Sequence, residues 1–263
     1  MQYNREFLKN SVIECIKDIG FVNAAWEVGA VAFDRVDQYS DVDLMIDCED
    51  DRIEDLFSVI ENNLKKIDSI EFLYRMPYPP SADYQQKFYK LKNFSKFCTL
   101  DLAILRNSAS DKLLEKEIHN NITVFFDKKG ITNVKPLDKE EFIEKIDKTV
   151  TDLEKRVQMF HQIVEKEFYR NNPMEAAYGY YSLILNPLIT MIRLYFNPFH
   201  YNFRQRYLHY ELDKATAGKL ENLFFIKDME DLREKYSVAL KWFGHLIENY
   251  NKEKIYAIIG VKK

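Results

Sequence analysis

Three carboxylates within the first 105 residues stand where side-chain oxygens can act together. Asp41 and Asp43 lie two apart in Asp41-Val-Asp-Leu-Met-Ile46, a segment that reads as a β-strand. Alternate strand side chains share a face, so both carboxylates lie on one side while Val42, Leu44 and Ile46 enter the core from the other. Two like charges held side by side and partly desolvated are unfavourable without a partner. A divalent cation relieves that repulsion, and Mg2+ favours one or two carboxylates together with phosphate oxygens. Asp101 interrupts a second apolar strand, Thr99-Leu-Asp-Leu-Ala-Ile-Leu105. If that strand lies beside 41–46, the three carboxylates converge and can serve a metal ion and a general base. A lone Asp in a strand is ordinarily a surface residue. The in-phase third acid is what points the group toward chemistry.

The elements that must position these residues follow from periodicity. Leu8, Val12, Ile16 and Ile19 predict an amphipathic helix over 4–19, with Gly20 as its C-terminal cap. An apolar stretch over 24–31 precedes the acidic strand. Ile53, Leu56, Phe57, Ile60 and Leu64 predict a second helix face. Strands are expected over 69–76, 84–92, 97–105 and 121–126, with Asp127-Lys-Lys-Gly130 as a turn. From residue 138 the chain changes character. Asp138 with Glu141 is a capping box opening a long helix through Phe160. Asn172, Pro173 and Glu175 open another, expected to run to about Tyr195 and to stop before Pro198. Two more helices are expected near 214–225 and 228–250. The expected fold class is α+β: a mixed β-sheet domain with flanking helices over 1–137, followed by an all-α helical bundle over 138–263.

The motif Gly29, then Asp41-Val42-Asp43-Leu44, then Leu100-Asp101-Leu102, resembles the nucleotidyltransferase superfamily, the DNA polymerase β-like group. The wording Asp37-x-Tyr39-Ser40-Asp41-Val42-Asp43-Leu44 and the later Phe125-Phe126-Asp127-Lys128-Lys129-Gly130 are similar to its aminoglycoside/lincosamide branch. The resemblance covers most of the first 135 residues as motifs and the remainder as layout. It implies Mg2+ and an NTP, ATP first among them, as co-substrate. It implies that Asp41, Asp43 and Asp101 bind the metal and carry catalysis. It implies an NMP (AMP) transfer to a hydroxyl of a small molecule, an antibiotic of aminoglycoside or lincosamide type. It makes 1–137 the nucleotidyltransferase-like domain and 138–263 the substrate-binding domain.

Gly29, Ala30, Ser40 and Lys87 are the candidate nucleotide-binding residues. The family's serine after the glycine is Ala30 here, and Asp34 stands where the family often has a further glycine. Those departures motivate a second reading, a non-catalytic binding or regulatory member of the fold. Transfer onto a protein or an RNA acceptor is a third. Lys87 and Tyr89 share a strand face and can reach phosphates or acceptor. Arg193, Arg204 and Arg206 form a basic cluster with Tyr207. Their ordinary alternative is ion pairing with Glu175, Glu211 or Asp213.

Composition narrows the field further. The chain of 263 residues is 46% hydrophobic and 30% charged, a globular mix. Its net charge is -4, with 38 basic and 42 acidic residues, which argues against a nucleic-acid binder. An acidic surface suits a cationic acceptor. Cys15, Cys48 and Cys98 form no metal or disulfide pattern, so a cytoplasmic protein with reduced thiols is expected. The start, Met1 to Asn10, has no apolar signal segment. The apolar run 176–196 carries Ser182, Asn186, Pro187 and Arg193 and reads as a bundle helix, so no membrane partner is expected. A homodimer is compatible with the family, without a residue that decides it.

Overall fold

The computed structural model describes residues 3–133 and 136–261. The chain divides into two compact units, Met1–Leu137 and Asp138–Lys263.

The first unit opens with α1, Arg5–Ile16, whose N-cap Asn4 accepts the Phe7 N–H at 2.9 Å. The helix ends three residues before the sequence expectation, and Gly20 is not in the left-handed region. β1 (Val22–Glu27) and β2 (Val42–Cys48) follow, then α2 (Ile53–Ile67), β3 (Ile70–Arg75), β4 (Tyr84–Leu91) and β5 (Leu100–Arg106). The short α3 (Lys116–His119) and β6 (Thr123–Asp127) complete the unit. Gly130, at φ +72°, falls in the turn expected after β6, and the Asp127 carboxylate ties that turn through the N–H groups of Ile131 and Thr132.

The sheet order is β3-β4-β5-β2-β1-β6. β2 and β5 run parallel, and every other neighbouring pair is antiparallel. Alternation along the strands builds two unlike faces. Val42, Leu44, Ile46, Leu100, Leu102 and Ile104 form one core with Leu8, Val12 and Ile16 of α1 and Leu56, Phe57, Ile60 and Leu64 of α2. Each such side chain contributes about 1.5–3 kcal/mol by leaving water. The opposite face carries a smaller cluster, Ala24, Trp26, Met45, Ala103, Leu105 and Leu114. Asp43 and Asp101 are in phase with that second set.

The second unit is helical. Asp138 caps α4 (Lys139–Tyr169) by accepting the Glu140 and Glu141 N–H groups. The helix expected from Asn172 begins at Pro173 as α5 (Pro173–Gly179), passes through a π-helical segment Tyr180–Leu185, and continues as α6 (Asn186–Phe196). Pro187 supplies the reason for the interruption. It has no N–H to give the preceding turn and its ring crowds the carbonyl four residues back, and a π-turn absorbs both effects. α7 (Leu208–Glu211), α8 (Lys214–Phe224), α9 (Met229–Glu248) and α10 (Lys252–Ile259) follow. α3, α7 and α10 have no counterpart in the sequence reading. Among the described residues no helix is long and apolar enough to cross a membrane.

Candidate functional site

One row of side chains crosses four strands on the face away from α1 and α2. Asp43 on β2 is the register partner of Asp101 on β5. Asp101 is the partner of Phe88 on β4, and Phe88 of Tyr74 on β3. Register partners project to the same side, and strands lie about 4.8 Å apart, so the row spans about 14 Å. The expectation that 41–46 and 99–105 lie side by side therefore has its geometric basis in a parallel pairing. Two of the three carboxylates stand directly abreast.

At the β2 end of the row, the Val28 N–H donates to the Asp43 carbonyl at 3.0 Å and brings the turn after β1 against Asp43. Gly29 sits there at φ +70°, and a Cβ on it would lie 2.0 Å from Asp43 Oδ2. Glycine is thus required twice, for the left-handed backbone and for the close approach of the carboxylate. Ala30 follows at φ −59°, ψ −33°. A left-handed residue followed by a right-handed one aims successive N–H groups into one concavity, which suits an anion. Among the described residues, the N–H groups of Ala30 and Val31 make no backbone hydrogen bond. The turn offers main-chain donors for phosphate even though Ala30 brings no hydroxyl. Asp34 is exposed and adopts φ +53°, a conformation Asp tolerates better than most residues, so its charge stays in water.

Asp41 precedes β2. Its Oδ1 accepts the Thr99 N–H at 2.8 Å, and its carbonyl accepts Arg5 Nε at 2.8 Å. Ser40 is engaged within its own loop. Its hydroxyl donates to Asp37 Oδ1 at 3.0 Å and accepts the Asp37 N–H at 2.9 Å. Asp101 Oδ1 accepts Gln86 Nε2 at 2.6 Å. Behind Gln86, Tyr84 donates to Tyr78 Oη at 3.3 Å. The Tyr84 hydroxyl is pushed up to about 12 by that hydrogen bond, by burial and by the nearby Asp101 charge, so it stays protonated.

Lys87 departs from the sequence expectation. Its register partner is Leu102, so it lies on the helix-covered face, opposite Asp101. There Lys87 Nζ pairs with Glu61 at 2.8 Å and lies 4.3 Å from the Phe57 ring centroid. Tyr89 shares that face and donates to the same Glu61 at 3.0 Å. Strict alternation along β4 is the reason: 86 and 88 face the carboxylates, whereas 87 and 89 cannot.

Gln86, Phe88, Tyr74 and Arg5 were not identified from the sequence. Phe88 and Gln86 are in phase with one another, but only the antiparallel register of β4 on β5 brings them to Asp101. Arg5 reaches the site through a buried carboxylate. Its guanidinium pairs with Glu27, which is fully buried at the end of β1, and Lys9 lies 3.5 Å from the same side chain. Arg5 therefore fastens the strand leading into the Gly29 turn and the residue that opens the acidic strand.

The donor set suits Mg2+. Among the described residues, no three His, Cys, Asp or Glu side chains are grouped as a ready-made metal centre. Mg2+ does not need one, because one or two carboxylates and phosphate oxygens complete its octahedron. Asp43 and Asp101 in register, beside a main-chain anion turn, match that requirement.

In the helical unit Arg193 is a structural member of the basic cluster, whereas Arg204 and Arg206 have exposed side chains and meet it through their carbonyls. Arg193 is 1% exposed and pairs with Glu211 at 2.5 Å. It also donates to the carbonyls of Arg204 and Arg206, so the chain 204–206 is the acceptor of the guanidinium. His200 Nδ1 lies 2.7 Å from the other Glu211 oxygen. Burial acts to raise the Glu211 carboxyl, but the His200 and Arg193 contacts outweigh it and hold the group below its usual range. Of Glu175, Glu211 and Asp213, Glu211 is the acid that pairs with Arg193.

No family model and no curated protein matches the chain. Solved structures are similar to it over nearly its whole length. One is an aminoglycoside 6-adenyltransferase from Bacillus subtilis, 12% identical, covering 100% of this chain and 94% of that one, with a TM-score of 0.37. Another is a nucleotidyltransferase-like protein from Exiguobacterium sibiricum, 14% identical, covering 97% and 79%, with a TM-score of 0.42. A third is a STING-associated CdnE c-di-GMP synthase from Capnocytophaga granulosa, 14% identical, covering 93% and 78%, with a TM-score of 0.32.

Proposed function

We propose that the protein is a Mg2+-dependent nucleotidyltransferase that moves an NMP, AMP from ATP in the first instance, onto a hydroxyl of a small molecule. The observation that carries this reading is the register pairing of Asp43 with Asp101, next to a glycine turn whose backbone approaches Asp43 and offers main-chain donors.

The turn at 29–31 would receive triphosphate oxygens through its N–H groups. Asp43 and Asp101 would hold Mg2+, with Asp41 able to join through Oδ2. When bound, the ion would neutralise phosphate charge in the transition state. Asp101 is also the carboxylate that would take the proton from the acceptor hydroxyl. That oxygen bonds to the α-phosphorus, the bond from the α-phosphorus to the bridging oxygen breaks, and pyrophosphate leaves. Phosphoryl-group chemistry of this kind depends on positioning and charge more than on a special nucleophile. The three free cysteines fit a cytoplasmic setting. The family resemblance implies an aminoglycoside- or lincosamide-like acceptor.

The test is a thermal-shift series with ATP, GTP, CTP and UTP, each with and without Mg2+. A ligand at 100 times its Kd adds about 2.7 kcal/mol of stability. A Mg2+-dependent shift in the wild type that is lost in Asp43→Asn supports the reading. No shift with any nucleotide rejects it. A shift without pyrophosphate release for any acceptor favours the non-catalytic reading, for which the missing hydroxyl at Ala30 is the specific motive.

A further inference from the structure

The cross-strand row does not end at Asp101. It continues to Phe88 and Tyr74, whose ring centroids are 6.3 Å apart at 35°. Phe72 lies two residues from Tyr74 on the edge strand β3. Tyr74 is 59% exposed and Phe72 65% exposed, unusually open for rings of this size on a sheet face. The row thus has an anionic half and an aromatic half, with Asp101 at the junction.

In-line displacement places the attacking and leaving oxygens on opposite sides of the phosphorus. The Gly29 turn and Asp43 occupy one end of the row, where phosphates belong. The incoming hydroxyl must then approach from the other side of Asp101, over β4 and β3. What lies there is the ring pair. Two charged residues of opposite sign are in register with the rings, Asp101 with Phe88 and Lys90 with Phe72; Glu71 falls in the irregularity of β3 and has no register partner. A carboxylate at one end of the rings and a lysine at the other give no net charge to draw a polycation or a polyanion, which suits an uncharged ligand.

We propose that Tyr74, Phe88 and Phe72 form the acceptor subsite, and that the acceptor is an uncharged molecule with a flat unsaturated ring close to its reactive hydroxyl. This inference rests on the nucleotidyltransferase reading of the same row. It departs from the cationic sugar implied by the resemblance. A ring pair of this type adds about three- to tenfold in affinity over an equivalent contact without the ring.

The experiment compares phenyl β-glucoside, methyl β-glucoside and kanamycin by saturation-transfer NMR on the full chain with Mg-ATP present. The two glucosides carry the same sugar hydroxyls, so their difference reports the ring. Phenyl glucoside is expected to bind at least threefold more tightly than methyl glucoside, with saturation strongest on its ring protons. Tyr74→Ala and Phe72→Ala, both at exposed positions, should remove that advantage and leave the Mg-ATP affinity unchanged, while Tyr74→Phe keeps it. Phe88→Leu is the milder variant for the half-buried ring. Equal binding of the two glucosides, tighter binding of kanamycin, or insensitivity to Tyr74→Ala overturns the proposal. So does a dimer that Tyr74→Ala dissociates, because the rings would then serve a second copy. Failure of the wild type to bind Mg-ATP is read in a separate titration and rejects the nucleotidyltransferase reading itself, together with this inference.

Discussion

Asp43 and Asp101 are direct register partners on neighbouring parallel strands although 58 residues separate them in the chain. Two carboxylates so placed repel one another, and their ionised forms favour a cation between or beside them. Asp43→Asn and Asp101→Asn should each abolish the Mg2+-dependent nucleotide shift. Each also removes a carboxylate–carboxylate repulsion, which offsets weakened contacts such as the Gln86 hydrogen bond to Asp101, so the stability of the metal-free protein should change little. Differential scanning calorimetry with and without Mg-ATP checks both halves; a large loss of metal-free stability would mean that the carboxylates are structural.

Gly29→Ala tests the turn. The new methyl would need φ +70° and would collide with Asp43. A strained left-handed residue costs about 1–3 kcal/mol, and the collision must displace the carboxylate. We expect a lower Tm and loss of Mg-ATP binding together. Retention of nucleotide affinity in a folded Gly29→Ala protein would remove this turn from the site.

Lys87→Met separates the two faces of β4. Lys87 pairs with Glu61 on the helix-covered side. The variant should leave the nucleotide affinity within about twofold while lowering stability by about 1–3 kcal/mol, since Lys87 is buried and its loss leaves the Glu61 carboxylate with the Tyr89 hydroxyl alone. A tenfold loss of Mg-ATP affinity would restore Lys87 to the phosphate site.

Glu27 is a fully buried carboxylate held by Arg5 with Lys9 close by. Removing one partner of a buried pair costs about 3–5 kcal/mol, whereas removing both ends costs less. Arg5→Gln should be strongly destabilising and Arg5→Gln/Glu27→Gln should recover part of the loss in urea unfolding. Additive effects of the two substitutions would show that the pair is not coupled.

Acid should loosen the helical unit through Glu211. Its carboxyl is held below the ordinary value of 4.5 by His200 and Arg193 against the effect of burial. A depressed carboxylate contributes stability that is present above its unfolded pKa and is lost as pH falls through the folded pKa. Stability should therefore be flat from pH 7 to 5 and fall below about pH 4.5. Glu211→Gln should lie lower at neutral pH and show a shallower acid loss.

Local chemistry made much of this protein legible in its sequence. Period-two alternation around Asp43 and Asp101 states which side chains oppose the core, because strand geometry leaves no other choice. The cap Asp138 names a helix start through a side-chain oxygen that meets the first N–H groups, and Gly29 and Gly130 mark turns. What the sequence left open was long-range. Lys87 and Gln86 are adjacent and both polar. The antiparallel register of β4 on β5 alone sends Gln86 to Asp101 and Lys87 to Glu61. Arg5 carries no local sign of its pairing with Glu27, and nothing near Arg193 in the chain indicates Glu211 rather than Glu175 or Asp213. Each of those contacts joins segments that meet only after the sheet or bundle closes. Backbone propensity acts over a few residues, whereas strand order, register and the pairing of buried charges are set by the packing of the whole core.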